Sequence, residues 1–66
     1  MKKIELLRKK KNLTRRQLAE MIGVSQLSIE MWENGLAVPS LAKLQKLAEV
    51  LECSVDELCD AKGIIY

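Results

Sequence analysis

The stretch TRRQLAEMIGVSQLSIEMWEN, residues 14–34, contains two short helical patterns joined by about three residues that include a glycine. Apolar residues recur with helical spacing over about 15–22 and again over about 26–34. Gly23 supplies the turn between the two patterns, because glycine readily adopts the positive φ that often follows a helix end. Ala19 is small where the two helices must approach each other closely. This combination predicts a helix-turn-helix.

Capping residues predict where four of the helices begin. Thr14, with Gln17 three residues later, forms a capping box, and Ser25 is the N-cap candidate of the next helix. Ser40 is placed to cap a fourth helix in the same way. The segment SVDE, residues 54–57, is a second capping box and opens a short fifth helix.

Apolar periodicity completes the predicted fold. A first helix is expected over roughly 2–11, and the fourth helix has the clearest amphipathic pattern of the chain. The chain has no Phe, one Trp and one Tyr, so its core must be aliphatic. We therefore predict an all-α class, with five short helices in one domain over 1–66, the helix-turn-helix at about 14–34 and an apolar tail at 64–66.

Composition excludes several classes of function. A chain of 66 residues forms one domain and leaves little room for a closed active site. It has no His, no metal-ligand set and no phosphate-binding loop, so we expect neither an enzyme nor a bound cofactor or metal. No stretch approaches the roughly 18 apolar residues of a membrane span. With no signal peptide evident, we interpret Cys53 and Cys59 as reduced thiols of a cytoplasmic protein, with a disulfide or a zinc site as the weaker alternatives.

The charge of the chain is unevenly distributed. Residues 1–16 contain eight basic residues and one acidic residue, a net charge of +7, whereas residues 17–66 contain three basic and eight acidic residues, a net charge of −5. Such asymmetry suggests one surface that faces a polyanion, although a solvated lysine-rich helix face would have the same composition.

Longer motifs make the chain resemble a known family. The matching segments are L-T-x-x-Q-L-A, G-V-S, S-I-E-x-W-E-N-G, P-S, L-x-K-L-A-x-x-L and S-V-D-E-L. Together they cover residues 4 to about 59 and resemble the phage-repressor/Cro family of helix-turn-helix regulators. The resemblance implies a lambda-repressor-like domain that binds operator DNA, usually as a dimer, and regulates transcription.

The resemblance also implies a role for individual residues. The positions that face the bases in the major groove are Gln26, Leu27, Ser28 and Met31. The positions that contact backbone phosphate are Thr14, Arg15 and Asn34, and from its charge we add Arg16. A glutamine amide can pair with adenine, and a helix N-terminus attracts phosphate. Arg8 and Glu33 match a buried ion pair that ties the first helix to the third.

Two features of the third helix and its following loop leave alternatives open. Leu27 and Met31 lie four residues apart on one face, so they form either an apolar strip that contacts thymine methyls or a patch that binds a protein. Glu30 could accept a hydrogen bond from cytosine, repel phosphate or face solvent. The loop 36–38 is Leu-Ala-Val, where relatives often have Lys or Arg, which limits phosphate contacts in this loop to backbone N–H groups.

We therefore expect a cytoplasmic, sequence-specific regulator, most simply a repressor, that binds a palindromic double-stranded operator as a homodimer. Its half-sites would lie roughly 34 Å apart. Dimerisation is expected through the fifth helix and the tail at 64–66, unless the tail folds back on its own core. The rival hypothesis is a protein-interaction module of the same fold, of the antitoxin or anti-repressor type, with weak or lost DNA binding. No small-molecule substrate is evident.

Overall fold

The computed structural model describes residues 1–59, and within them all regular structure is helical. Five helices follow one another with short connections: α1 (Lys2–Lys10), α2 (Arg15–Ile22), α3 (Gln26–Glu33), α4 (Leu41–Leu51) and α5 (Val55–Cys59). The predicted tail at 64–66 lies outside the described residues. The predicted all-α class is confirmed.

The helices begin where their capping residues predict. The Thr14 hydroxyl accepts the backbone N–H of Gln17 at 3.0 Å, and the Gln17 side chain accepts the backbone N–H of Thr14 at 2.8 Å, so both halves of the capping box form. Ser25 caps α3 and Ser40 caps α4 through their hydroxyl groups. The second capping box forms as well, with Glu57 N–H donating to the Ser54 hydroxyl and Ser54 N–H to the Glu57 carboxylate. These predictions are confirmed.

The helix ends differ slightly from the predicted ones. Gly23 follows α2 with φ of +88° and donates its N–H to the Ala19 carbonyl at 2.8 Å, as the sequence predicts. α1 ends at Lys10 and α3 at Glu33, each one residue earlier than expected. Lys11 adopts φ −91° and ψ 5°, outside the helical range, although its N–H still bonds to carbonyls of α1.

Within residues 1–59, two residues other than glycine adopt the left-handed conformation, and neither was predicted. Asn12 has φ of +59° in the turn after α1, and Glu52 has φ of +57° directly after α4. Asparagine tolerates this conformation better than most residues do, whereas glutamate seldom adopts it. The Glu52 carboxylate lies 2.7 Å from the Lys11 ammonium, so these two turns are joined by an ion pair.

The core is aliphatic, as predicted, with one aromatic ring. α2 packs against α3; α1 contacts α3, α4 contacts α2, and α5 packs on both α1 and α4. The buried apolar side chains are Ile4, Leu18, Ala19, Ile22, Ile29, Trp32, Leu44, Leu47, Ala48, Leu51 and Leu58. The Met1 ammonium donates to the Trp32 carbonyl, a favourable position for a cation because it lies at the C-terminus of a helix. The N-terminal end of α1 is thus joined to the C-terminal end of α3.

The two cysteines are free and partly buried in this arrangement. Burial raises the pKa of the Cys53 thiol, which favours its protonated form. Among residues 1–59, no helix has the length and apolar composition that crossing a membrane requires. That part of the chain also contains no cluster of three or more potential metal ligands.

Candidate nucleic-acid interface

α3 has an inner and an outer face. Ile29, Trp32 and Glu33 are buried against the other helices. On the outer face, Gln26 is exposed and the Leu27 side chain is 60% exposed. The remaining candidates for base contact, Ser28 and Met31, are half-buried and follow on the same helix, as does the half-buried Glu30. The structure therefore places all four candidates on α3, with the first two fully available to a ligand.

Ser28 also has a local structural role. Its backbone N–H donates to the Ser25 hydroxyl at 3.2 Å, and the two hydroxyl groups lie 3.1 Å apart. Either hydroxyl can be the donor of that bond. The Ser28 hydroxyl is therefore already oriented by the cap of α3 before any base approaches.

A buried carboxylate joins the three N-terminal helices. Arg8 on α1 donates from Nε to Glu33 Oε2 at 2.7 Å and from Nη2 to Oε1 at 3.4 Å. Arg15, the first residue of α2, donates from Nε to Glu33 Oε1 at 2.9 Å. We refer to Arg8, Glu33 and Arg15 as the arginine–carboxylate cluster. Its Arg8–Glu33 contact has the partners that the resemblance implies, whereas the Arg15–Glu33 contact was not anticipated from the sequence.

Each side-chain nitrogen of Arg8 makes a hydrogen bond. Its Nη1 donates to the Leu13 carbonyl at 2.8 Å, which ties α1 to the segment that enters α2. Among residues 1–59, no buried side-chain nitrogen or oxygen lacks a hydrogen-bond partner. The buried charge of Glu33 is therefore compensated, which a carboxylate removed from water requires.

Arg15 differs from Arg8 because part of its side chain, 34%, remains exposed. The hydrogen bond to Glu33 raises the pKa of the Arg15 guanidinium, desolvation opposes this effect, and the charges of Glu33, Glu30 and Glu5 add to it. The nearby Arg15 guanidinium therefore offers one structural role for the Glu30 carboxylate, that of a favourable charge interaction.

The candidate phosphate ligands at the start of α2 lie beside the candidate base-contacting residue Gln26. Thr14, Arg15, Arg16 and Gln26 all line one open surface depression. The Arg16 side chain is 79% exposed, and its Nε lies 3.6 Å from the carboxylate of Glu20, which is also exposed and on the same helix, so this contact stabilises little. Four further residues that line this depression were not predicted as site residues from the sequence: Glu5, Lys9, Asn12 and Leu13. The basic run 8–11 was the available signal for Lys9.

Asn34 lies at the opposite end of α3 and does not line this depression. It is exposed and forms the C-cap of α3, and Gly35 follows it with φ of +76°. Leu36 and Val38 in the following loop are exposed, and Pro39 is buried. A phosphate contact at Asn34 would therefore be separate from the contacts at the start of α2.

Comparison with known proteins assigns the chain to a family. A family model described as helix-turn-helix matches residues 4–58. The transcriptional repressor RstR of the cryptic phage CTXphi in Vibrio cholerae is 44% identical over 52 residues, which are 79% of this chain and 46% of that protein. The transcriptional activator BcrR of Enterococcus faecalis is 36% identical over 63 residues, which are 96% of this chain and 31% of that protein. This chain therefore spans less than half the length of these relatives.

A solved structure agrees with the fold. The DNA-binding domain of the P22 C2 repressor, determined by NMR, superposes with a TM-score of 0.81 at 35% identity, covering 86% of this chain and 75% of that chain. The chain belongs to the Cro/C1-like helix-turn-helix family. The predicted family resemblance and the lambda-repressor-like fold are both confirmed.

Proposed function

We propose that this chain is a sequence-specific DNA-binding transcriptional regulator, with α3 in the major groove and α2 across the phosphate backbone. The observation that carries the proposal is that Gln26, at the start of α3, shares one surface depression with Thr14 and Arg15 at the start of α2. One duplex could therefore contact a base-reading side chain and a phosphate-binding helix terminus together. The names of the relatives, repressors and an activator among them, support this function.

The start of α2 is suited to phosphate. The capping box satisfies the backbone N–H groups of Thr14 and Gln17 and leaves those of Arg15 and Arg16 for an anion. The Thr14 hydroxyl accepts a hydrogen bond from Gln17, so its own proton remains available to a phosphate oxygen. Asn34 would contact a second phosphate at the far end of α3.

The outer face of α3 is suited to bases. The Gln26 amide can donate to N7 and accept from N6 of adenine, or pair with other base edges, because it carries both a donor and an acceptor. Leu27 and Met31 provide apolar surface for thymine methyl groups, and Ser28 provides a hydroxyl. These contacts require no Lys or Arg on α3, since the proposed phosphate contacts come from the start of α2 and from Asn34 at the end of α3.

Selection of bound duplexes from a random DNA pool tests this proposal. We expect one enriched motif, and we expect Gln26→Ala to relax the preference at one base position. Gln45→Ala is the matched control, because Gln45 is an exposed glutamine on α4. An unchanged motif and affinity with Gln26→Ala would remove the base-reading role, and the absence of any enriched motif would contradict sequence-specific binding.

We further propose a cytoplasmic repressor that acts as a homodimer on a palindromic operator. Two copies related by a two-fold axis would place their α3 helices roughly 34 Å apart, one turn of the duplex. The candidate dimer contacts are α5 and the apolar tail at 64–66. Sedimentation with and without the selected duplex measures the stoichiometry. A monomer that binds a single half-site, unchanged when residues 64–66 are deleted, would contradict the dimer.

A protein-interaction module of the same fold is the second candidate. The exposure of Leu27, Leu36 and Val38 favours it, because together they offer apolar side chains to a partner. Salt distinguishes the two functions: phosphate binding weakens steeply as salt rises, with a logarithmic slope of about −0.9 per phosphate, whereas an apolar protein contact does not. In neither case do we infer a catalytic function.

A further inference from the structure

The arginine–carboxylate cluster contains more positive charge than is needed to neutralise its one buried carboxylate. Arg8 alone pairs with both oxygens of Glu33, and the Arg8 side chain is nearly as buried as the carboxylate. Arg15 adds a second guanidinium to the same carboxylate. Since one arginine already neutralises Glu33, the charge of Arg15 leaves the cluster with a net charge of +1.

The hydrogen bonds of Arg15 to described residues occupy only one of its donor groups. Its Nε donates to Glu33, whereas the two terminal nitrogens make no hydrogen bond to any of residues 1–59. The exposed part of the side chain lines the depression that also contains Thr14 and Gln26. A guanidinium is planar, and two of its N–H groups can bind two phosphate oxygens together. Because Nε of Arg15 is held by Glu33, its two terminal nitrogens remain available to a phosphate.

Fixing the guanidinium in advance favours binding. An arginine side chain loses rotamer entropy when it is immobilised. Arg15 is already held by a buried acceptor before DNA arrives, so less of this entropy is lost on association. Arg16 provides the contrast, because it is highly exposed and its partner Glu20 is exposed as well.

We propose that Glu33 is a positioning residue for DNA binding: through its Oε1 it holds Arg15 so that the free edge of the guanidinium binds a backbone phosphate beside Gln26. The inference rests on the proposed DNA-binding function. It assigns Glu33 two roles: its carboxylate joins α1 to α3, and it orients the phosphate-binding side chain of Arg15 on α2. Arg15 is then the strongest phosphate contact of the chain, despite being less exposed than Arg16.

Matched charge changes test the proposal in the full chain with a selected duplex. Arg15→Gln and Arg16→Gln remove the same charge. We expect Arg15→Gln to weaken binding at least about tenfold, the effect of losing a charge-assisted hydrogen bond, and Arg16→Gln no more than about threefold. Arg15→Lys should weaken binding nearly as much as Arg15→Gln, because one ammonium cannot hold Glu33 and chelate a phosphate in the same geometry. Wild-type affinity for Arg15→Lys, or equal losses for the two glutamine variants, would overturn the proposal.

A second measurement does not require DNA. In the free protein, we expect the Nε–H proton of Arg15 to exchange slowly with solvent in NMR spectra and that of Arg16 to exchange rapidly. In Glu33→Gln, verified as folded by circular dichroism, the Arg15 proton should exchange faster and the duplex affinity should fall. If Glu33→Gln does not fold, the exchange rates of the wild-type chain and the Arg15→Lys affinity still decide the proposal. Rapid exchange at Arg15 in the wild type would overturn it.

The affinity and exchange measurements distinguish failure of the proposed DNA-binding function from failure of the positioning role of Glu33. If the Arg15 proton exchanges slowly but the chain binds no duplex at low salt, the proposed DNA-binding function is contradicted. The Arg15–Glu33 contact would then only stabilise the fold. Duplex binding by a chain in which Arg15 exchanges as fast as Arg16 would support the function and overturn the positioning role of Glu33.

Discussion

The Glu33 carboxylate is buried away from water, and Arg8 is its main hydrogen-bond partner. The Arg8 side chain supplies two hydrogen bonds to this carboxylate and one to the Leu13 carbonyl. A buried ion pair contributes little over a well-packed apolar pair, but removing one partner leaves an uncompensated charge. The cluster therefore makes the fold sensitive to single substitutions.

The first prediction concerns Arg8→Met, which preserves the length and apolar contacts of the side chain. We expect the free energy of unfolding to fall by about 3 kcal/mol. This is the lower end of the range for a broken buried ion pair, because Arg15 still contacts Glu33. Urea titration at low temperature, followed by circular dichroism, measures this change. Lys9→Met, on the exposed side of α1, is the control and should cost less than about 0.5 kcal/mol. Equal losses for the two variants would contradict a buried role for Arg8.

The second prediction concerns Leu27 and the methyl group of thymine. If Leu27 packs on a thymine methyl, replacing that thymine with uracil should weaken binding about fourfold, the equivalent of roughly 0.8 kcal/mol for one buried methyl. In the Leu27→Ala variant the same base change should have little effect. Leu6→Ala is a matched control, because Leu6 is also 60% exposed but lies on α1. A persistent uracil effect in Leu27→Ala would assign the methyl contact to another residue.

At the scale of elements, the turn between α2 and α3 needs glycine at position 23 for its backbone conformation and not for lack of space. Gly23 has φ of +88°, and a Cβ added at this position would meet no other atom within 4 Å. The third prediction is that Gly23→Ala lowers the free energy of unfolding by about 1–2 kcal/mol, entirely from left-handed strain. Gly23→Asn should cost less, because asparagine tolerates this conformation better. Thermal unfolding distinguishes the two variants, and an alanine variant as stable as the wild type would show that the turn relaxes.

The elements that the sequence predicted well are those with local causes. Thr14, Ser25 and Ser40 cap helices by bonding to amides three residues away, so each signal lies within one short segment. The unpredicted features have distant partners. Arg15 reaches Glu33 18 residues away, and Lys11 reaches Glu52 41 residues away. No periodicity encodes such pairs, because they depend on how α1, α2 and α4 come together.

The end of α4 was also beyond local prediction. A left-handed residue after a helix is usually glycine, which makes the position visible in a sequence. This chain has Glu52 in that conformation, and its carboxylate pairs with Lys11 next to the turn after α1. At this position the Glu52 side chain makes a tertiary ion pair that a glycine could not make.

At the scale of the whole molecule, the Lys11–Glu52 pair links the N-terminal and C-terminal halves and makes stability depend on pH. The Lys11 ammonium holds the pKa of Glu52 below its ordinary value. The pair therefore contributes fully above the unfolded-state pKa of a glutamate, about 4.3, and its contribution is lost as the pH falls through the lowered folded-state pKa.

The fourth prediction follows from this dependence. Glu52→Gln, which keeps the shape of the side chain, should be less stable than the wild type at neutral pH, and the difference should disappear in strongly acidic solution. Chemical denaturation across this pH range measures the difference. Glu49→Gln removes the same charge from α4 and should not reproduce this profile. A difference between Glu52→Gln and the wild type that stays constant with pH would show that the ion pair does not stabilise the fold.

The two-faced construction of α3 has a consequence for how such a domain can diversify. The residues that hold α3 in place are Ile29, Trp32 and Glu33, and none of them is a candidate for base contact. Gln26, Leu27 and Met31 can therefore be exchanged as a set, with only Met31 partly engaged in packing. A chimeric chain carrying another regulator's outer residues should inherit that regulator's operator while keeping its own thermal midpoint. New binding specificities could thus arise in a few substitutions, without passing through poorly folded intermediates.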